Sequence, residues 1–470
     1  MKVAYLANIG TRDVMVDGQY LNRPRAEGER LLQNYDKVWQ TLAAPILWPG
    51  LQYVLSLSGN IERVYLFASD QDKTVEEKFR DKDTVYFGNI LERWLPQSFP
   101  EQIMCVIPIP IPGNPADYNR MNQFFAQRLP ELIVPSEWDV IFIAPVGGAD
   151  ASNMTLLYNA VQIFHERCQL IYVMPNGEVL PLDLGQQMLR EQTRSLSLSY
   201  VERYDYLALA NFLRLKPNSV APWGEPVARY AAARLHFDFQ SAQETLEDAL
   251  HFAKGEVRLK INSLKDSLLP FLHEISPPKS PDQDWRPWLD LQGRLMVELY
   301  FNLRLKYIRG EFVDFLSRLF RLHEAVLRYI FEEEASISTD KGGEEAFRDY
   351  IHGNSRLQDF LEKHHLEYWP TTRVLAAIID FWVTQEQKGS RYGPVYRWLQ
   401  RLEKLSELRH KSIGAHGYLG VSHREITERW GSASVVADLA KVLGHVGLRL
   451  DDDPFAQANL LLREALQAKA

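Results

Sequence analysis

The stretch VIFIAPVGGADASNMTLLYNAV, Val140–Val161, decides the fold. It opens on an unbroken apolar run, turns through Gly147 and Gly148, and continues as a segment with helical spacing. Continuous apolarity, rather than alternation, suits a strand covered on both faces in a parallel sheet. Two adjacent glycines let the backbone approach a ligand closely. Ala149–Asn153 then lead into a helix, with Asp150 or Ser152 as candidate N-cap, and free amides at a helix start form a seat for phosphate. Strand, glycine turn and helix together make the repeating unit of an open α/β sheet.

The same pattern recurs outward from this stretch. Lys2–Gly10, Arg63–Ser69, Ile103–Pro110 and Leu170–Met174 are further short apolar runs, read as strands buried on both faces. Helical patterns such as AEGERLLQNYDKVWQTL (26–42) and ADYNRMNQFFAQRLPEL (116–132) lie between them. In open α/β sheets ligands bind beyond the C-terminal strand ends. The informative segments are therefore NIGTRDV (Asn8–Val14), ASDQDK (Ala68–Lys73) and the glycine turn. They supply Thr11 and Arg12, then Ser69, Asp70 and Gln71, then Gly147, Gly148, Ser152 and Asn153 as candidate ligand-binding residues. Thr11 offers a hydroxyl and Arg12 a fork of donors. The first turn has one glycine where a dinucleotide fingerprint needs three, and no Walker-type phosphate loop occurs, so neither a nicotinamide enzyme nor a P-loop NTPase is expected.

At 470 residues the chain has room for about two to four domains. Its formal net charge of −8 argues against a protein that coats nucleic acid or membrane by charge alone, though a local basic groove is compatible with it. Cys105 and Cys168 sit in apolar segments and read as small core residues of a reducing cytoplasm. The opening MKVAYLANIG enters a strand pattern directly, and no apolar run approaches membrane-spanning length, so a cytoplasmic protein without membrane association is expected. Two proline-containing breaks, at Pro217–Pro226 and Ser276–Asp284, divide the chain into an α/β domain (1–215), a helical linker segment (216–284) and an all-α domain (285–470). The linker segment is the candidate element for transmitting a signal between the other two.

In the helical part, Lys306–Ala335 reads as one long helix with Phe312, Phe315, Leu316, Leu319, Val326, Leu327 and Ile330 on its apolar stripe. Asp314, Arg318, Arg321, Glu324 and Arg328 make a charged face that is chiefly solvated, with Arg318 and Arg321 as a candidate basic rim for RNA. Further on, LEKLSELRHKSIGAHGYLGVSH (Leu402–His423) carries Leu402, Leu405 and Leu408 up to Arg409, after which Gly414 and Gly417 loosen the backbone around His416. A histidine near neutral pKa can take the proton of a ribose 2′-hydroxyl or protonate the leaving 5′-oxygen. An arginine can stabilise the charge that gathers on a phosphorane. On one straight helix the seven-residue separation would be about 10 Å of rise, too far for both groups to serve one phosphodiester. Either the backbone bends near Gly414, or two copies of the chain share a site. No metal-ligand spacing accompanies the motif, and no metal or cofactor is expected.

Taken together, NIGTRDV, APVGGADASNMTLL, GEFVDFLSRLFRLHEAVLRY and LRHKSIGAHG resemble, in order and spacing, motifs of the type III CRISPR-associated CARF–HEPN ribonucleases, the ancillary enzymes of Csm/Csx type. The resemblance implies a Rossmann-like α/β CARF domain followed by an all-α HEPN domain, in a homodimer. It implies an activator, cyclic oligoadenylate made by the type III effector complex, with cyclic tetra-adenylate favoured over cyclic hexa-adenylate. It assigns the ligand candidates above to that activator, and assigns Arg409 and His416 of both chains to a composite site that cuts single-stranded RNA. The products would be a 2′,3′-cyclic phosphate and a 5′-hydroxyl. Where the family most often has asparagine after the motif arginine, this chain has His410, a candidate for hydrogen bonding or proton transfer. Some relatives also cleave their activator slowly in the CARF domain. The competing readings are a non-enzymatic cyclic-nucleotide sensor and a CARF-type transcriptional regulator; the latter calls for a basic winged helix, which the C-terminus does not show.

Overall fold

A computed structural model describes residues 1–216, 220–386, 388–414, 417–432 and 434–468. The chain divides into two compact units, Met1–Thr193 and Arg194–Ala470.

The first unit is built on a six-stranded sheet: β1 (Val3–Ile9), β2 (Arg63–Asp70), β3 (Val106–Pro112), β4 (Val140–Ala144), β5 (Cys168–Val173) and β6 (Val179–Leu182). Their order is β3-β2-β1-β4-β5-β6, with the first five parallel and β6 antiparallel to β5. Because side chains alternate across a strand, β1 serves two cores at once. Val3, Tyr5, Ala7 and Ile9 join the core beneath α1 (Pro24–Gln33), the helix Trp48–Ser58 and α2 (Val85–Ser98). Ala4 and Leu6 join the opposite core, formed with α3 (Tyr118–Leu132) and α4 (Asp150–Phe164). The strand order reverses between β1 and β4, which places the ligand crevice of such a fold at the ends of those two strands.

β3 differs from the expected doubly buried strand. It is a sheet edge, and its residues are only partly covered. Pro108, Pro110 and Pro112 lack the N–H that a second neighbour would need, and prolines are confined to such edges. Cys105 just before it is exposed, against the expectation of a core residue, whereas Cys168 at the start of β5 is buried.

The second unit is helical. Its expected long helix is interrupted: α5 (Arg286–Ile308) stops, and α6 (Phe312–Ala335) starts after Gly310, whose φ of +74° is left-handed and ends the helix. Lys306, buried at the break, donates to Glu311. Beyond it lie α7 (Thr372–Thr384), α8 (Gly389–Lys411), α9 (His423–Trp430), α10 (Val435–His445) and α11 (Pro454–Gln467). The segment expected as a linker forms the helices Gly224–Leu235, Phe239–Phe252 and Gly255–Asp266, and its apolar residues belong to the core of the second unit. The division at Thr193 and Arg194 falls ahead of the expected boundary at 215 because α11 folds back on this region. Ala221 N–H donates to Ala465 C=O at 3.1 Å and the Tyr206 hydroxyl to Asn459 at 2.9 Å.

One buried ion pair joins that segment to α5. The guanidinium of Arg234 forks onto both carboxylate oxygens of Glu298 at 2.8 and 2.7 Å and also donates to Tyr230 and Ser267. Both partners are 4% exposed, so neither charge has water to fall back on. Truncating one partner of such a pair costs about 3–5 kcal/mol. Glu298→Gln is therefore expected to lower the urea midpoint of unfolding sharply, and an unchanged midpoint would show that the pair carries little.

Candidate functional site

In the first unit the loops after β1 and β4 meet as bare backbone. A Cβ on Gly10 would lie 2.5 Å from the Gly148 nitrogen, and one on Gly147 would lie 2.4 Å from the Asp13 carboxylate. Gly147 and Gly148 also adopt φ of +66° and +64°, which L side chains rarely take. Asn153 ties the turn down, donating to Gly147 C=O at 2.5 Å and accepting from Asn8 at 2.7 Å. α4 then begins behind Ala149, an N-cap with no side-chain hydrogen bond, so neither Asp150 nor Ser152 caps it. The Ser152 hydroxyl instead donates to Pro115 C=O at 2.9 Å. Among the described residues the first-turn amides of α4 are thus left without a side-chain acceptor, the state in which a helix start binds anions.

Beside these loops lies a cleft of about 270 Å³, at the small end of ligand pockets, which span about 300–1,000 Å³. Thr11, Ser69, Gln71, Gly148 and Ser152 line it, so the fold gathers five of the nine candidates there. The other four stand back. Arg12 is exposed over the Tyr20 ring, 6.0 Å from its centroid, and Asp70 pairs with Arg25 at 2.9 Å. Gly147 and Asn153 shape the turn from behind. Sequence reading missed Asn8, Thr84, Asn114 and Lys82, which also line the cleft. Lys82 is the one charged side chain among its lining residues. Thr84 braces the wall: its hydroxyl donates to Ile9 C=O at 2.9 Å and accepts from Ser69 N–H at 3.1 Å. Gln71 is held by Asp83, which accepts from both its backbone and its side-chain amide at 2.9 Å.

Asp13 was also missed. It is fully buried beneath the two loops; one carboxylate oxygen accepts from Gly10 N–H at 2.6 Å, while the other has no partner among the described residues. Burial pushes its pKa up to about 7, and the Gly10 N–H opposes that rise.

In the second unit, α6, α7 and α8 surround a cleft of about 770 Å³ lined by Arg409 and His410. α8 ends at Lys411 and Ser412 is extended, so the chain leaves the helix two residues before Gly414. His416 lies outside the described residues. The glycines act here through contact: a Cβ on Gly414 would lie 2.8 Å from Val313 and 2.9 Å from Ser317, and one on Gly417 would collide with Lys411 C=O. Neither is among the glycines with left-handed φ, in contrast to the expected loosening.

Arg409 stacks on Phe320, 5.0 Å from the ring centroid. Its guanidinium has no hydrogen-bond or carboxylate partner among the described residues, so its side-chain donors remain unspent. His323, missed in the sequence, lines the same cleft with its ring edge-to-face to Phe320 and Trp398. Burial, with a smaller push from Arg409, holds its pKa down to about 4, so it is neutral beside the arginine. Of the expected RNA rim, Arg321 lines the cleft but pairs with Glu324 at 3.1 Å, and Arg318 leans on Asp314. Among the described residues no group of three or more His, Cys, Asp or Glu side chains is placed to hold a metal ion. No described helix is long and apolar enough to cross a membrane.

No family model and no curated protein matches the sequence. A solved structure does. It is Enterococcus italicus Csm6 bound to cyclic hexa-2′-fluoro-hexa-dAMP, which is 14% identical and superimposes with a TM-score of 0.56. The match covers 99% of this chain and 100% of that Csm6 chain. What is shared at that identity is the fold, and it is shared from end to end.

Two outcomes follow from the first cleft. Gly10→Ala is expected to cost about 1–3 kcal/mol, because two backbones must part to admit a methyl group; a thermal melt reads this directly. For Asp13, the folded state keeps a proton that the unfolded chain releases once pH passes the ordinary carboxylate value of 3.8. Stability from this group is therefore present at low pH and lost as pH rises towards about 7. Wild type should gain on Asp13→Asn between about pH 8 and about pH 5, and parallel melting curves would contradict the assignment.

Proposed function

We propose that the protein is a CARF–HEPN ribonuclease of type III CRISPR defence, switched on by cyclic oligoadenylate and working as a homodimer. One observation carries this reading. A chain with the fold of Csm6 over 99% of its length has a nucleotide-compatible cleft in its α/β unit and an unspent arginine in a cleft of its helical unit. The first cleft suits a nucleotide because its lining is neutral and hydrogen-bonding apart from Lys82, which supplies a counter-charge for phosphate. Asn114 can read a base edge, and the first-turn amides of α4 suit an anionic group. The fluorinated cyclic hexanucleotide in the similar structure makes cyclic hexa-adenylate the first ring to test, with cyclic tetra-adenylate second.

In the helical unit, His416 acts as general base on the 2′-hydroxyl or as acid on the leaving 5′-oxygen, and Arg409 stabilises the phosphorane. The 2′-oxygen forms its bond to phosphorus as the 5′-oxygen leaves with a proton, giving a 2′,3′-cyclic phosphate and a 5′-hydroxyl. His410 is exposed in the last turn of α8 and lines the cleft, which supports a hydrogen bond from it to the strand. A second copy supplies the second Arg–His pair. Activation is then a coupling free energy between two sites on one chain.

A fluorescent single-stranded RNA reporter in EDTA, with cyclic tri-, tetra- and hexa-adenylate added separately, tests this. Cleavage is expected with one ring size, and His416→Ala or Arg409→Ala should lower its rate by about 100-fold or more. If calorimetry shows a ring binding while none elicits cleavage, the protein is a sensor without nuclease activity.

A further inference from the structure

The helical cleft holds a second unspent arginine. Arg373, at the start of α7, lines the cleft with Arg409 and has no hydrogen bond or carboxylate partner among the described residues. The other cleft-lining arginine, Arg321, is engaged by Glu324. Basic side chains elsewhere in this unit commonly find acids: Arg391 pairs with Glu333 and Glu334, Arg401 with Asp438, and Arg429 with Glu407. What sets Arg373 and Arg409 apart is that their two unpaired guanidinium groups share one concave wall.

Their spacing indicates what they hold. α7 and α8 form a helical hairpin, and Asp380 on one arm and Tyr396 on the other line the cleft together. Counting seven residues back along α7 from Asp380, and seven on along α8 from Tyr396, sets Arg373 opposite Glu403. Arg409 lies six residues further on, about 9 Å along the axis at 1.5 Å per residue. That offset along the hairpin suits two phosphates of one extended strand. Glu403 also lines the cleft and, like Arg373, has no ion-pair partner among the described residues; at the same level of the hairpin it tempers the charge.

We propose that Arg373 is a second phosphate subsite for the RNA strand, holding a phosphodiester displaced from the one at Arg409 and so fixing how the strand enters the cleft. The subsite rests on the ribonuclease reading above and adds a strand-positioning residue that the R-x6-H motif does not contain.

The test is equilibrium binding of a fluorescein-labelled 2′-O-methyl RNA, which lacks the attacking hydroxyl, followed by anisotropy with cyclic hexa-adenylate or tetra-adenylate present. A contact to one single-strand phosphate contributes a slope of about −0.7 in log K against log salt. Arg373→Ala should weaken binding several-fold and flatten the slope by about 0.7 between about 50 and 200 mM salt. Arg373→Lys should keep the slope, and Glu403→Gln should tighten binding. An Arg373→Ala protein that melts like wild type and binds with the same slope overturns the subsite. Wild type that binds no RNA under any condition overturns the ribonuclease reading itself, and the subsite with it.

Discussion

The α/β unit depends on an approach that leaves no room for a side chain. Gly10 and Gly148 meet backbone to backbone, and Gly147 lies against the carboxylate of Asp13 and the carbonyl of Asn8. The parallel pairing of β1 with β4 forces this, because the turn after each strand must leave the sheet at the same end. Closing that space moves the available cavity sideways, towards the ends of β2 and β3. The cleft is consequently walled by Ser69, Thr84 and Asn114, whereas Gly147 and Asn153 act as its frame. Asp13 is the cost of the arrangement: a carboxyl buried under two loops with one oxygen unanswered.

The helical unit uses the same device for a different end. Gly414 presses on Val313 and Ser317 at the start of α6, and backbone bonds from Gly417 to Ser412 and from Leu419 to Lys411 close the loop behind α8. His423, at the start of α9, packs its ring on Tyr307 and Phe312, on either side of the break at Gly310. The loop that follows Arg409 is thus held from both ends. Arg409 itself rests on the face of Phe320, an interaction that orients a guanidinium without consuming its N–H donors. The neighbouring His323 is kept neutral by burial and adds no competing charge.

The two clefts differ in their electrostatics. The first is almost uncharged, which lets hydrogen bonds select among ligands, and a single lysine answers an anion. The second mixes Arg321, Arg373 and Arg409 with Glu324, Asp380 and Glu403. Of those acids, Glu324 is engaged inside the protein by Arg321 and Arg328. The formal charges of that cleft balance, so in a chain of net charge −8 it is the two unpaired guanidinium groups, not a net positive field, that are offered to an anionic strand.

Period and punctuation in the sequence were enough to determine the strands of the parallel sheet, the glycine turn at Gly147 and Gly148, and the apolar stripe of α6, since each depends on residues within one turn or strand of one another. Arg409 was legible for the same reason, as part of a ten-residue stretch. Other features were decided only when distant segments met. Position at the sheet edge made β3 half-covered and left Cys105 exposed. Packing of α11 on the helix Gly224–Leu235 drew the presumed linker into the core of the second unit. Lys82, Thr84 and Asn114 became cleft residues because β2 lies between β1 and β3 and all three end on one side of the sheet, and Arg373 came to line one cleft with Arg409 because α7 and α8 fold into a hairpin. Local spacing cannot encode such meetings: they follow from the burial of apolar faces against elements far away in the chain.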